Sequence, residues 1–383
     1  MSGTGDEQMT RLLRFLMQDP GNVRLRIDGI AAVLRKPDVN TARKLVSDGL
    51  ELLPGNPQLL FQQGIVALAD QRPDLAREVF AGLLDDGLRH DAIIYNLAYA
   101  CEAMSDHAAA ISALNEISEG SDSTPEHLKL RARAKYGAED IAGAIEDMSA
   151  YLEQAPLDAE ANGLLSLMLV DADRIEYARQ IADRTLALDS SEPIARLTLG
   201  VLALELQQPA AAVAEVAPIL ERFPGLGRAW STLAFAYLLM LDLPKARHAF
   251  DRAVQTMPNH IGTWHGRGWT ALLQSEPALA RECFEQALEI DRNFPDSHGS
   301  LAVLDAIEGR TKEARAGSER ALRLNRESPS GRYAMSLLRS AAGDSTTAQH
   351  LVKGILSGTR LANGASVEDL VRGLFAKRRT DNH

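Results

Sequence analysis

The chain has 383 residues with 52 acidic and 41 basic side chains, which gives a net charge of −11 at pH 7. A chain of this length can bury a substantial core without disulfides or metals. The acidic excess leaves no large basic stripe, which disfavours a nucleic-acid backbone as the main partner. Aromatic residues make up only 5% of the chain while alanine is abundant, a composition that suits closely packed helices better than sheets.

The N-terminal segment, residues 1–22, is predicted to carry a capping helix. Its first ten residues include two acidic side chains and lack the apolar core of a secretory signal. Met9–Gln18 is predicted to be a lone helix, because Leu12, Phe15 and Pro20 fall in the same columns as the second helices of the repeats that follow.

Residues 23–362 are predicted to form ten 34-residue repeats. Ten alanines recur at a constant 34-residue spacing without an insertion, and a column of mostly small residues lies twelve positions before each of them. A column of mostly larger side chains follows each alanine by four positions, one helical turn further on the same face. Turn signals such as Pro54–Pro57 separate the units, so each unit is predicted to be two helices, A and B, joined by short turns. The alanines are Ala42, Ala76, Ala110, Ala144, Ala178, Ala212, Ala246, Ala280, Ala314 and Ala348.

One unit, residues 227–260, carries a known repeat motif. Its residues are Trp230, Leu233, Ala234, Tyr237, Ala246, Phe250 and Pro258. They resemble the signature of the tetratricopeptide repeat (TPR), with alanine at 234 in place of the usual glycine. The resemblance implies an all-α, right-handed superhelical solenoid of about ten helix-turn-helix repeats with terminal capping helices. It also implies that the A helices line a concave groove and the B helices form the outer wall.

The C-terminal residues 363–383 are predicted to form a capping helix and a basic tail. Ser366–Asp369 matches a capping box, and the helix is expected at Val367–Lys377. Its apolar residues share one amphipathic face. They are Leu370, Val371, Leu374 and Phe375.

Ten A-helix residues form the predicted partner-binding site, because the resemblance places A-helix side chains that are not used in packing in the groove. Paired members lie four positions apart and share a face. Aromatics with a basic step between them suit an extended peptide that carries apolar anchors and a carboxylate or acidic side chain. Tyr95/Tyr99 and His265/Trp269 are the preferred pairs, since other columns account for packing in their repeats; core packing is the alternative interpretation. The candidates are Phe61, Ile65, Tyr95, Tyr99, Lys129, Arg133, Phe235, His265, Trp269 and Tyr333.

A carboxylate clamp of the kind found in chaperone-binding TPR domains is not predicted. Those domains hold a C-terminal carboxylate with lysine, asparagine and arginine on successive A helices. Lys129 with Arg133 is the nearest match, but the next repeat offers Gly163 and Leu164 where polar residues are needed.

No catalytic, cofactor or metal motif is recognised in the sequence. Gly262–Gly268 is glycine-rich but falls inside a predicted A helix, so it does not form a dinucleotide loop. The two cysteines, Cys101 and Cys283, are too few for a thiolate zinc site and are expected to be buried and reduced. No catalytic domain is expected beside the repeats, because the flanking segments 1–22 and 363–383 are too short to form one.

The sequence therefore predicts a non-enzymatic, cytoplasmic scaffold or adaptor that binds a partner protein or an extended peptide in the concave groove. The alternatives are a chaperone-like holder or regulator of a single client in secretion or in envelope or pilus assembly, and an enzyme with no recognisable motif. Self-association is a further alternative. Membrane insertion is not expected, because the longest purely apolar run, Leu233–Leu241, is too short to span a bilayer.

Overall fold

The computed structural model describes residues 11–117, apart from residue 13, and residues 125–344. Within these ranges, nineteen helices have assigned bounds and no strand occurs. Odd-numbered helices are A helices and even-numbered helices are B helices. The A helices are α1 (Val23–Leu34), α3 (Pro57–Ala69), α5 (Asp91–Ala103), α7 (Glu126–Gly137), α9 (Ala159–Asp171), α11 (Pro193–Glu205), α13 (Gly227–Leu239), α15 (Ile261–Leu273), α17 (Pro295–Ile307) and α19 (Pro329–Ala341). The B helices are α2 (Val39–Leu52), α4 (Pro73–Asp85), α6 (His107–Leu114), α8 (Ile141–Gln154), α10 (Ile175–Leu188), α12 (Pro209–Arg222), α14 (Leu243–Thr256), α16 (Pro277–Ile290) and α18 (Thr311–Leu324).

The helices recur at the 34-residue interval that the sequence predicts. Successive B helices begin 34 residues apart. The A helices keep the same register, except that α7 begins one position late, at Glu126. Local signals set these starts. At the start of α3, for example, the Asn56 side chain accepts a hydrogen bond from the Leu59 amide and Pro57 occupies the first helical position.

The turn between the A and B helices uses one residue in the left-handed region. Residues within a repeat are numbered from position 1, which is Val23 in repeat 1 and Pro57 in repeat 2. From repeat 2 to repeat 10, the residue at position 15 has φ between 55° and 89°. Only two of these nine residues are glycine, so the other seven hold an L side chain in an unfavourable backbone conformation. They are Gln71, Ser105, Glu139, Asp173, Gln207, Leu241 and Ser275.

The predicted alanine column lies at the centre of each hairpin, and its members from Ala42 to Ala314 are all 0% exposed. Beside it, the small column at position 8 faces the larger residue at position 24. A Cβ added to Gly64 would lie only 2.4 Å from the Phe80 ring, so glycine makes room for that ring. In repeat 1 the larger side chain is at position 8 instead: Ile30 packs in one cluster with the smaller Val46 at position 24.

Two compact units divide the chain: unit 1 is Met1–Asp173 and unit 2 is Arg174–His383. In unit 1, Ile94, Leu114 and Leu130 belong to one buried cluster that spans repeats 3 and 4. In unit 2, a comparable cluster that includes Phe284 and Leu304 joins repeats 8 and 9. In each unit the core is thus a series of small clusters between neighbouring hairpins, as expected of a repeat array.

Leu16 of the N-terminal segment packs on the first repeat. Residues 11–12 and 14–18 are helical, and Leu16 joins the cluster that contains Ile30 and Val33. Leu16 is 6% exposed whereas Phe15 is 41% exposed, so Leu16 makes the buried contact and Phe15 does not. The C-terminal capping helix expected at Val367–Lys377 lies outside the residues that the structure describes.

The remaining structural expectations concern cysteines, membranes and metals. Cys101 and Cys283 are buried free thiols, as the sequence predicts. Gly262–Gly268 lies inside α15, also as predicted. In the described part of the chain, no helix is long and apolar enough to cross a membrane. Over the same residues, no group of three or more histidine, cysteine or acidic side chains is arranged to hold a metal ion.

Candidate partner-binding site

The ten candidate residues lie at positions 5 and 9 of the A helices, in both units. In unit 1 they come from α3, α5 and α7, and in unit 2 from α13, α15 and α19. Nine of them are half-buried. Tyr99 is the exposed one, with 40% of its surface accessible.

The two candidate phenylalanines pack on the side chain at position 24 of their own repeat. The Phe61 ring lies 5.6 Å from the Phe80 ring, and the Phe235 ring lies 5.0 Å from the Phe250 ring, both edge to face. Such edge-to-face pairs are favourable beyond the area that they bury. Phe61 and Phe235 therefore help to hold their hairpins together, contrary to the expectation that packing leaves them free.

His265 and Trp269 are also packing residues. The Trp269 ring lies 5.6 Å from Phe284, and the His265 ring lies 5.5 Å from both Phe284 and Phe294. Nε2 of His265 is 2.9 Å from Oγ of Ser297 in the next repeat. Burial lowers the pKa of His265 to about 4, so the ring is neutral at pH 7. The expectation that other columns already account for packing is therefore wrong for this pair.

Two further candidates are held in apolar clusters. Tyr333 packs against Val303 and Ala334, and burial raises the pKa of its hydroxyl. Ile65 packs against the cluster that contains Phe80. Both side chains are half-buried, so each leaves part of its surface accessible while packing on its cluster.

The two cations expected to receive an acidic partner are already paired within the chain. Lys129 Nζ lies 2.9 Å from Oδ2 of Asp158 and 2.8 Å from Oε2 of Glu160. Arg133 Nη2 lies 3.3 Å from Oε1 of Glu102. Burial alone would lower the pKa of Lys129, but the hydrogen bonds to Glu160 and Asp158 outweigh it and raise the pKa. An acidic group of a partner would have to displace one of these carboxylates.

Tyrosines surround this ion-pair network. The hydroxyl of Tyr151 donates a hydrogen bond of 2.7 Å to Oδ2 of Asp158, and Lys129 Nζ lies 5.8 Å from the Tyr151 ring. Burial, together with the Asp158 carboxylate, raises the pKa of Tyr151 to about 12. Burial and the negative charge of Glu126 raise the pKa of Tyr95. The hydroxyls of Tyr95 and Tyr151 thus stay protonated at physiological pH.

The sequence analysis did not select the acidic residues of this face. Glu126 and Glu160 are exposed and occupy position 2 of repeats 4 and 5, a 34-residue spacing that was readable in the sequence. The pairing of Glu102 with Arg133 was not readable, because it depends on the distance between α5 and α7. We call these residues together the tyrosine–carboxylate surface of unit 1. They are Tyr95, Tyr99, Glu102, Glu126, Lys129, Arg133, Asp158 and Glu160.

Paired helices at a 34-residue period, with candidate side chains of the A helices only half-buried in each unit, define a helical-repeat protein of the kind that binds other proteins. The tetratricopeptide repeat family matches residues 61–124, 129–193 and 225–293, just over half of the chain. The chain belongs to the tetratricopeptide repeat family. The comparison with curated proteins finds no match.

Solved structures share the fold at low sequence identity. The Cut9–Hcn1 hetero-tetramer of APC/C matches 92% of this chain and 77% of its own, with a TM-score of 0.59 and 13% identity. Human IFIT1, solved as a dimer with m7Gppp-AAAA, matches 91% of this chain and 94% of its own, with a TM-score of 0.55 and 13% identity. At these identities the likeness concerns the fold alone.

Proposed function

We propose that the chain is a non-enzymatic scaffold or adaptor that holds a segment of a partner protein against the A-helix face. TPR repeats are in general protein-binding scaffolds, and the match to that family supports the class of function. The exposure of individual side chains supports the finer assignment, to a binding face on the A helices.

Tyr99 carries the proposal. It lies at position 9 of α5 and has 40% of its surface exposed. Phe235 and Trp269, which occupy the same repeat position, each pack against a neighbouring aromatic ring. Tyrosine provides a large contact area at a low entropic cost and is enriched at the centres of protein interfaces. An exposed tyrosine with no packing duty of this kind suits a partner contact.

Capture of the native partner tests the proposal. We expect Tyr99→Ala to reduce partner retention by the full-length protein about tenfold, because truncating an anchor residue removes a large part of an interface energy. The partner is identified by pull-down from the native host with mass spectrometry, and its retention is then quantified for each variant. Melting curves should stay unchanged, since Tyr99 is outside the buried core.

Tyr177→Ala is the matched control. Tyr177 is 49% exposed but lies on a B helix, α10, so its loss should leave partner retention at the wild-type level. Equal losses for both variants would place the contact elsewhere, and no loss for either would exclude the A-helix face around Tyr99.

A further inference from the structure

We infer that the tyrosine–carboxylate surface of unit 1 receives a cationic partner segment, rich in lysine or arginine. This inference rests on the proposed function and gives the chemistry of the partner. It reverses the sign expected from the sequence, in which Lys129 and Arg133 suggest an acidic peptide.

The preference for a cationic partner follows from how the charged groups of the surface are paired with one another. The surface contains four carboxylates and two cations, which gives it a net charge of −2. Lys129 is shared between two carboxylates, and Arg133 is held by Glu102. The side chain of Lys129 is only 18% exposed, so the cation presents little of itself to a partner.

Carboxylate oxygen, by contrast, remains accessible on this surface. The Glu160 side chain is 62% exposed although it contacts Lys129, and Glu126 is exposed as well. Both occupy the same repeat position on the neighbouring helices α7 and α9, so they can engage successive basic side chains of one segment. Charged hydrogen bonds between guanidinium or ammonium groups and carboxylates are stronger than neutral ones.

The tyrosines add a second feature that suits cations. An arginine or lysine above an aromatic face is stabilised by the negative charge of the ring quadrupole. Tyr99 is exposed and precedes Glu102 by three positions on α5, so the two residues lie on the same helical face. The chain itself already places Lys129 against Tyr151 in this way. The same surface therefore offers ion pairing and ring contact to one cationic side chain.

The charge of the whole chain is concentrated on the same unit. Unit 1 holds 28 acidic and 15 basic residues, a net charge of −13, whereas unit 2 holds 24 and 26, a net charge of +2. A charge of this size attracts a cationic segment at long range and repels an acidic one. The local surface and the unit that carries it thus agree on the sign of the partner.

Three synthetic peptides test the inference on the full-length protein. They have equal length and carry arginine, glutamate or glutamine at the same positions, with a fluorophore for anisotropy titrations. We expect the arginine peptide to bind with the highest affinity. Its affinity should fall as the salt concentration rises from about 50 mM to about 300 mM. Arg133→Gln should strengthen its binding, because Glu102 is then released to the partner.

Matched double variants separate this surface from general charge attraction. Glu126→Gln with Glu160→Gln should weaken the arginine peptide about fivefold, as expected for two exposed ion pairs. Glu146→Gln with Glu153→Gln removes the same charge from exposed positions of the B helix α8, and should change the affinity about twofold or less.

Several results would overturn the inference. These are equal losses in the two double variants, preference for the glutamate peptide, or absence of binding by all three peptides. Equal binding of the arginine and glutamine peptides, with both weakened by Tyr99→Ala, would remove the charge preference but leave the binding face in place. Failure of the proposed function is a separate result, seen when Tyr99→Ala retains the native partner as well as Tyr177→Ala does.

Discussion

Gly64 and Phe80 show how side-chain volume is shared inside a hairpin. A Cβ on Gly64 would lie 2.4 to 2.9 Å from three atoms of the Phe80 ring. We expect Gly64→Ala to lower the free energy of unfolding by about 1–2 kcal/mol, because the overlap outweighs the roughly 1 kcal/mol that alanine gains in a helix. Chemical denaturation followed by circular dichroism measures the change.

The double variant Gly64→Ala with Phe80→Leu checks this explanation. It reproduces the pair found at the same positions of repeat 3, Ala98 with Leu114, and should therefore be more stable than the two single changes predict when added. Gly82→Ala is the control, since nothing lies within 4 Å of its added Cβ, and it should stabilise the protein. Additive single changes would contradict the volume exchange.

The neutral His265 ring predicts a loss of stability in acid. Its pKa falls from 6.5 to about 4 on burial, so the folded state binds fewer protons than the unfolded state between these values. Stability is therefore complete above about pH 6.5 and declines as the pH falls towards 4, by about 3 kcal/mol at most. His265→Gln should flatten this part of the profile.

Melting curves of both proteins between pH 7 and pH 4 measure the effect. The other titrating groups are shared, so the difference between the two profiles isolates His265. Parallel profiles would show that the ring takes up its proton without a cost in folding.

At the scale of the element, the A–B turn carries a strain that glycine relieves. Glu139 is exposed and has φ of 64°. This left-handed conformation costs a residue with an L side chain about 1–2 kcal/mol. Glu139→Gly should raise the free energy of unfolding by about 1 kcal/mol, after the greater freedom of glycine in the unfolded chain is subtracted.

Gly309→Ala is the reverse experiment at the same repeat position. Gly309 has φ of 80° and nothing within 4 Å of an added Cβ, so the substitution adds backbone strain without a clash and should cost about 1 kcal/mol. If both variants melt like the wild type, the turn adjusts its backbone freely and the strain is not real.

A side-chain hydrogen bond at the start of the A helices is only partly predictable from the sequence motif. Trp230 and Trp264 match the TPR signature, and in the structure their indole N–H groups donate to the carbonyls of Pro224 and Pro258 at 2.8 and 2.7 Å. Other repeats make the same contact, six positions back, with a different side chain. Their donors are Arg26, Asn162, Arg196, His298 and Arg332. The shared feature is thus a nitrogen that reaches a carbonyl, which an aromatic motif does not identify.

At the scale of the whole molecule, the period predicted the helices because spacing along the chain is a property of the sequence. Helix starts and the alanine column follow directly from it. The candidate site did not follow, because it depends on which neighbour each side chain meets. Trp269 was expected to be free and packs on Phe284, while Glu126 was passed over and lies exposed beside Tyr95.

The uneven charge of the two units predicts an uneven response to salt. Repulsion among like charges destabilises a compact state, and salt screens it. Raising the salt from about 50 mM to about 500 mM should therefore stabilise unit 1, at −13, more than unit 2, at +2. Hydrogen exchange followed by mass spectrometry measures both units in one intact chain, through the protection of α3–α9 and of α11–α19.

The comparison within one molecule controls for every general effect of salt, such as stronger burial of apolar groups, because both units experience it. Exposed ion pairs occur in both units and each contributes little, so their screening does not reverse the expected order. Equal gains in protection would mean that the paired carboxylates of unit 1 leave no net repulsion. The same result would weaken the case for long-range attraction of a cationic partner, since both effects depend on the same field.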